Sequence, residues 1–294
     1  MNIAEDLGLP ADFIVSLAPQ GTDEWLEARL GVCTGSRAKD ARSRLADKPE
    51  KIDRKTGEIT PAVRGGPSSK QSLYAKDLAR AREGGRDRGK FATFEMREGQ
   101  AEEPNARMAY EERTGCLVEE VGFICTPDRK FGVSVDGLRF YADAGLARNV
   151  RGAVEIKTML SSDTLFDAMV FGDYSEYIDQ IQMSIWLLSL DWVDLVLWAP
   201  DLEGDAKMKI VRIERDDDYI TELTADLMEF DGTVEVYRQQ LRSFVEAANG
   251  IGTPSTDPDY EHSEAALRVA DGAPITTAAA PKQAVSPTAL PELF

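Results

Sequence analysis

The stretch Gly132-Val-Ser-Val-Asp136-Gly137, followed eighteen residues later by the run that ends Val154-Glu155-Ile156-Lys157, decides how the middle of the chain is read. Side chains alternate along a strand, so Val154 and Ile156 face one way and Glu155 and Lys157 the other. The apolar pair belongs in a core and the acid–base pair in a cleft. Asp136 ends a short apolar strand at a tight turn with Gly137, within reach of the neighbouring strand. Two carboxylates and a lysine so placed suit hydrolysis of a phosphodiester. A divalent ion held by the carboxylates polarises the phosphate and lowers the pKa of bound water. A lysine beside it orients or deprotonates the water and offsets charge. The Ile156 carbonyl, between Glu155 and Lys157, is placed to supply a further oxygen. An isolated Glu-x-Lys on a strand has a plainer reading, a solvent-facing salt-bridged pair, and these residues alone leave both open.

Composition narrows the choice of metal. The chain of 294 residues has three cysteines (Cys33, Cys116, Cys125) without CxxC spacing, and its single histidine, His262, lies in a low-complexity tail. A disulfide framework or a zinc site is not expected. Any metal must be held by oxygen, which points to magnesium or manganese. No run of about 18 apolar residues predicts a membrane span. The acidic start, Met1-Asn-Ile-Ala-Glu-Asp6, lacks the basic-then-apolar form of a secretory signal, so a cytoplasmic protein is expected. The net charge of −18 argues against nucleic acid, yet Arg29 to Ala92 carries 17 Lys and Arg against 8 Asp and Glu. Because screening limits reach to about 8 Å at physiological salt, such a segment can meet a polyanion locally; a solvated basic surface is the alternative.

Outward from the centre, the pattern predicts alternating elements. Thr22 caps a short helix with the stripe Trp25, Leu26 and Leu30, closed by Gly31. Ser36 opens a second helix, Arg37 to Leu45; Arg29 and Ser36 would suit a phosphate, although capping serines and surface arginines are common. Residues 46–70 read as a loop, Lys70 to Glu83 as a helix and residues 84–90 as another loop. Phe94 to Thr114 is a long helix in which Pro104 implies a kink or a fresh start. Val118 to Cys125 and Phe131 to Val135 pair as strands, and Leu138 to Tyr141 returns through Asp143-Ala-Gly145 to the Glu155 strand. A helical turn or two (164–172) and a helix from Ser175 to Leu190 follow, the latter with Tyr177, Gln180 and Ser184 on one face. Trp192 to Trp198 and Lys207 to Ile213 are strands. The last helix, Asp217 to Ala247, repeats apolar residues at spacings of three and four, which reads as core packing ahead of a partner seam. Residues 250–294, rich in Ala, Pro and Thr, read as a disordered tail with an apolar tip, Ala289 to Phe294.

Five ordered blocks resemble the PD-(D/E)xK nuclease superfamily, in particular its phage-type branch, the lambda exonuclease and YqaJ-like viral recombinase family. They are Gln20-Gly-x-x-x-Trp25-x-x-x-Arg29-Leu-Gly-x-x-Thr34-x-Ser36, Gly99-x-x-x-Glu103-x-x-Ala106-Arg107, Ser134-x-Asp136-Gly137-Leu138, Glu155-Ile-Lys157 and Tyr177-x-x-Gln180-Ile-Gln182. The resemblance implies an α/β (α+β) fold with a restriction-endonuclease-like core, a mixed central β-sheet flanked by helices, spanning residues 1–249 ahead of the tail 250–294. It implies that Asp136 and Glu155, with the Ile156 carbonyl, bind catalytic magnesium (manganese substituting), and that Lys157 is the catalytic lysine. Glu103 matches an acidic helix residue near the metal or attacking water, and Gln180 a glutamine that shapes the site. Arg29, Ser36 and Ser134 match positions that hold a terminal 5′-phosphate.

The activity implied is a Mg-dependent 5′→3′ exonuclease on double-stranded DNA, leaving 3′ single-stranded ends for a strand-annealing partner in phage recombination. Alternatives are an endonuclease of the same superfamily and a non-catalytic DNA-binding or scaffold protein; the intact Asp136, Glu155 and Lys157 argue against the last. DNA ends, an annealing protein reached through the tail and further copies of the chain are the expected partners. The location implied for a phage-encoded protein is the host cytoplasm. Three departures stand out: Val135 replaces the usual proline, the Asp136–Glu155 connection is long enough for an extended hairpin, and no arginine follows Lys157 within Leu160-Ser-Ser-Asp163.

Overall fold

The computed structural model describes residues 3–249 except 8, 53, 86–92 and 141–149. The expected tail 250–294 with its tip and His262, most of the 84–90 loop, and the turn through Asp143 lie outside the described residues. In chain order the strands are β1 (Ile14–Ser16), β2 (Cys33–Thr34), β3 (Lys51–Ile52), β4 (Ile59–Thr60), β5 (Val118–Glu119), β6 (Phe123–Cys125), β7 (Phe131–Val133), β8 (Gly137–Phe140), β9 (Val150–Thr158), β10 (Trp192–Trp198) and β11 (Met208–Glu214). The helices are α1 (Ile3–Asp6), α2 (Asp23–Arg29), α3 (Ala38–Arg42), α4 (Ser69–Arg82), α5 (Phe94–Thr114), α6 (Ser162–Leu165), α7 (Ser175–Leu188) and α8 (Asp217–Ala248).

The expected mixed sheet is present. Its order is β11-β10-β9-β8-β5, with β9 and β10 parallel and the other neighbours antiparallel. Parallel neighbours need a crossover, and here α6 and α7 supply it between β9 and β10. Helix α5 covers the opposite face, where Ala106 and Tyr110 pack on Val154, Ile156, Val196, Trp198 and Met208. Both faces of β9 are therefore covered.

A second sheet, β1-β6-β7-β2, replaces the simple pairing expected of Val118–Cys125 with Phe131–Val135. Val118–Cys125 is not one strand. Its first part, β5, pairs with β8 in the five-stranded sheet (Val118↔Arg139), and its second, β6, pairs with β7 in the other (Cys125↔Gly132). Both stretches keep one antiparallel register, so a single hairpin is shared between two sheets and opens at 120–122 and 134–136. Glycine makes the handover possible. A Cβ on Gly122 would meet the Ala18 carbonyl oxygen at 2.2 Å, and one on Gly137 would meet Val118 Cγ1 at 1.9 Å. Asp136 stands in the opened stretch.

Local chemistry explains the other differences. The helix expected over Arg37–Leu45 is a 3-10 turn, Gly35–Arg37, followed by the short α3. Past Arg42 the backbone pairs elsewhere: Leu45 N–H donates to the Gly66 carbonyl (2.8 Å) and Ser68 N–H to the Ser43 carbonyl (3.0 Å). The segment expected as a loop over 46–70 is consequently a ribbon, with bridges Arg44↔Pro67 and Lys48↔Val63 leading into the β3–β4 pair. Helix α5 runs through Pro104 without ending. One lost backbone bond is outweighed by its packing, since Ala106 and Tyr110 are fully buried. The expected Thr22 cap is made, with its hydroxyl accepting from Trp25 N–H, and Gly31 follows in the left-handed conformation (φ 76°). After α6 the expected helical turn over 164–172 continues as a single π turn, Phe166–Val170.

The apolar repeat of α8 is core as far as Val234: Ile220, Leu223, Leu227, Phe230 and Val234 are buried, and Phe230 stacks on Tyr74 of α4 at 5.2 Å, but Phe244 near its end is exposed. Much of the basic charge in residues 29–92 is spent on acids of the same chain. Arg82 pairs with Asp231 (2.7 Å) and Glu235 (2.8 Å), Arg42 with Asp226 (2.9 Å) and Arg44 with Glu229 (2.6 Å), all on α8. Lys39 pairs with Glu176 of α7. Part of the expected basic surface is an internal clamp, because α8 lays its acids against α3 and α4, whereas Lys48, Lys51, Arg54, Lys70 and Arg80 stay exposed.

Candidate active site

The open stretch of the hairpin delivers Asp136 to the middle of β9. Its backbone N–H donates to the Val154 carbonyl (3.1 Å) and its Oδ2 accepts from Ile156 N–H (2.7 Å). Gln20 Nε2 reaches Asp136 Oδ1 (3.4 Å) and the Val135 carbonyl (3.3 Å). Gln20 entered the sequence reading only as the first letter of a block. Its contact with an aspartate 116 residues away has no local signal.

Glu155 and Lys157 point to the face that α7 crosses, as the alternation requires. Lys157 Nζ lies 2.8 Å from Glu155 Oε1, so the salt bridge of the plainer reading exists. It is not solvent-facing: Glu155 is only 3% exposed. Gln180 spans the pair, donating through Nε2 to Glu155 Oε1 and accepting from Lys157 Nζ at 3.1 Å. Glu103 on α5 pairs with Arg107, which also holds Glu120.

Negative charge is in excess here. Burial, and then the Glu155 and Glu103 charges, push the Asp136 carboxyl well above the ordinary carboxylate range. Burial also raises Glu103; Arg107 opposes the shift, whereas Glu120 and Glu155 add to it. For Lys157, burial acts to lower the ammonium's pKa, but Glu155 and Asp136 outweigh it and hold the pKa above its usual value. Among the described residues no group of three or more His, Cys, Asp and Glu converges to hold a metal. The oxygen donors nearest one another in sequence and fold that could hold a metal are Asp136, Glu155 and the Ile156 carbonyl. Crowded carboxylates with an oxygen-only donor set fit a hard divalent cation that keeps several waters.

A second cluster adjoins the first. Arg29 Nη1 donates to Ser134 Oγ and Nη2 to Ser36 Oγ, each at 3.2 Å. The guanidinium lies 4.0 Å from the Trp25 ring centroid and 5.6 Å from that of Phe123. Burial lowers its pKa to about 10, and among the described residues no carboxylate pairs with it. A desolvated cation held by two hydroxyls is matched to an incoming anion. All nine residues singled out in the sequence therefore fall in two places. Asp136 is hydrogen-bonded to the Ile156 N–H, and Glu155, Lys157 and Gln180 to one another, with the Glu103 charge acting on Asp136. Arg29, Ser36 and Ser134 form a second hydrogen-bonded cluster, in which Ser134 lies two residues from Asp136.

A mixed sheet bearing Asp136 beside a Glu155-x-Lys157 strand defines a nuclease of the PD-(D/E)xK class. More closely, the chain belongs to the YqaJ-like viral recombinase domain family, which matches residues 24–188. Among solved structures it is similar to an alkaline exonuclease (LHK-Exo) from Laribacter hongkongensis, with 29% sequence identity and a TM-score of 0.59, covering 78% of this chain and 99% of that one. The same enzyme in complex with dAMP matches with the same values. A phage related exonuclease from Haemophilus somnus 129PT matches at 13% identity and a TM-score of 0.49, over 73% of this chain and 96% of that one. None of the curated proteins compared matches the chain. The chain is a nuclease of this family.

Proposed function

We propose that the chain is a magnesium-dependent 5′→3′ exonuclease on double-stranded DNA, leaving 3′ single strands for an annealing partner. The observation that carries this reading is the half-buried Arg29 guanidinium, without a carboxylate partner among the described residues and forked between Ser36 and Ser134 beside Asp136. A terminal phosphate seated there would present the adjacent phosphodiester to the carboxylates, so cutting would begin at a 5′ end. Asp136, Glu155 and the Ile156 carbonyl would hold magnesium, with manganese as a substitute. Such an ion, when bound, polarises the phosphate and makes water acidic. Lys157, as an ammonium, donates toward the reacting oxygens and offsets the added negative charge. Gln180 fixes Lys157 and Glu155 relative to each other, and Glu103, steadied by Arg107, orients water at the rim. The catalytic unit is residues 1–249. Residues 250–294 would serve as a docking tail for the annealing protein in the host cytoplasm, and assembly with further copies of the chain fits the same reading.

Purified protein with magnesium should degrade linear duplex and spare covalently closed circles; cutting of circles would favour an endonuclease. Arg29→Ala should abolish a preference for 5′-phosphorylated over 5′-hydroxyl ends. Lys157→Ala should lower kcat by about 10²–10³-fold, the usual cost of removing one transition-state donor. Full activity in Lys157→Ala would remove the catalytic assignment.

A further inference from the structure

Trp25 has no role in the assignments above, yet its indole N–H is aimed into the anion cradle. Nε1 donates to Ser134 Oγ at 3.0 Å and reaches the Gly122 carbonyl at 3.3 Å. Arg29 Nη1 donates to the same Ser134 oxygen at 3.2 Å. Indole and guanidinium nitrogens are donors only, whereas a hydroxyl has two lone pairs and one hydrogen to give. With both N–H groups directed at Ser134 Oγ, its accepting capacity is filled and its hydrogen must go to a third group. Among the described residues no acceptor takes it. Ser134 is thus turned into a donor that points away from Trp25 and Arg29, and the ligand it awaits is an acceptor.

We infer that Trp25 is a positioning residue for the terminal 5′-phosphate: it sets the Ser134 hydroxyl as a donor and holds the Arg29 guanidinium against its ring. The inference rests on the 5′-phosphate reading proposed above and adds a residue and a direction to it. Arg29 brings two N–H groups that already bridge Ser36 and Ser134, so the cradle presents donors on both sides and no carboxylate. A phosphate monoester, with three acceptor oxygens and up to two charges, complements such a set. A carboxylate would satisfy Arg29 but leave a donor unused. The indole contributes twice: its face stacks on the guanidinium at 4.0 Å, and its edge supplies the N–H. The competing view is that Trp25 only packs against Val32, Phe123 and Cys125.

Trp25→Phe separates the two views, because phenylalanine keeps a ring face and loses the N–H, while its lost packing would weaken both kinds of end alike. Steady-state rates would be measured on linear duplexes that differ only in a 5′-phosphate or a 5′-hydroxyl, for the wild type, Trp25→Phe, Ser134→Ala and the double variant. Trp25→Phe should lower the phosphate-to-hydroxyl ratio of kcat/KM by roughly 3- to 10-fold, the range for one hydrogen bond, through KM on phosphorylated ends. Ser134→Ala should lower it at least as far. The double variant should be no worse than Ser134→Ala, since the indole then has no hydroxyl to orient. The inference is overturned by a ratio unchanged in Trp25→Phe, by an equal loss on both kinds of end, or by multiplying losses in the double variant. A wild type that degrades linear duplex but treats both ends alike would instead remove the 5′-phosphate reading itself, and this inference with it. An unchanged Trp25→Phe beside a defective Arg29→Ala would sink the role of Trp25 alone.

Discussion

Asp136 is held by a backbone N–H, a backbone carbonyl and the Gln20 amide, none of them a full positive charge. It nevertheless sits where burial and two neighbouring carboxylates resist its ionisation. Its folded pKa is raised above the unfolded value of about 4. The stabilisation linked to its proton is therefore fully present below that value and is lost as pH rises through the raised folded pKa. Glu103 shifts in the same direction. The metal-free protein should thus lose stability between the ordinary carboxylate range and neutral pH, and a cation should restore it. Thermal melts across pH 5 to 8 on the order of one pH unit apart, with and without magnesium, check this. Metal-free Asp136→Asn should melt above the wild type at the alkaline end, lose that advantage at the acid end, and gain nothing from magnesium. A wild type whose metal-free stability is flat over that range, or an Asp136→Asn variant less stable throughout, would contradict the charge crowding. At this scale strand alternation made Glu155 and Lys157 legible as one face. It did not show whether that face met water, because burial depends on α7 arriving over it. Gln20 was illegible for the same reason, its partner being distant in the chain.

Among the elements, the hairpin shared by two sheets sets the site. The apolar runs 118–125 and 131–135 were readable as paired strands, and their register holds on both sides of the break. The break was not readable, because it depends on what Gly122 and Gly137 meet in the fold: carbonyls near Ala18 and the side chain of Val118. Gly137 follows Asp136 directly, so the packing that lets the hairpin open also fixes the aspartate. Gly137→Ala should destabilise the fold by about 1–3 kcal/mol through overpacking and should lower kcat as Asp136 shifts. The colliding atom belongs to a side chain, Val118 Cγ1. Adding Val118→Ala should therefore recover most of the lost activity, although a half-buried valine is then gone. Melting temperature and kcat measured on the single and double variants decide it. A double variant as inactive as Gly137→Ala would mean that the glycine is needed for its backbone alone.

Across the whole molecule, charge shows most clearly where a linear reading stops. A count along the chain finds a basic segment before residue 93 and an acidic remainder, and suggests a surface for a polyanion. In three dimensions α8 folds back on that segment, and its acids meet the arginines across separations of 149 residues (Arg82–Asp231) and 184 (Arg42–Asp226). What remains for DNA in the described site is a small set of aimed cations, Arg29 and Lys157 foremost, inside a protein of net charge −18. The clamp is not uniform. The Arg82 and Asp231 side chains are 11% and 6% exposed, whereas Glu83 faces Arg238 and Arg242, whose side chains are 33% and 52% exposed. Removing one partner of a buried pair strands the other charge and costs about 3–5 kcal/mol, while pairs open to solvent are worth about 0–1 kcal/mol and fade with salt. Asp231 also holds the half-exposed Lys130 at 3.0 Å, and its loss leaves the buried Arg82 with Glu235 alone. In urea denaturation, Asp231→Ala should therefore lose several kcal/mol at both 0.1 M and 1 M salt, on the order set by those buried pairs. Glu83→Ala should lose under about 1 kcal/mol at the lower salt and almost nothing at the higher. If Asp231→Ala proved as mild and as salt-sensitive as Glu83→Ala, α8 would be held by its apolar stripe alone, and the basic arginines would be free to turn toward DNA.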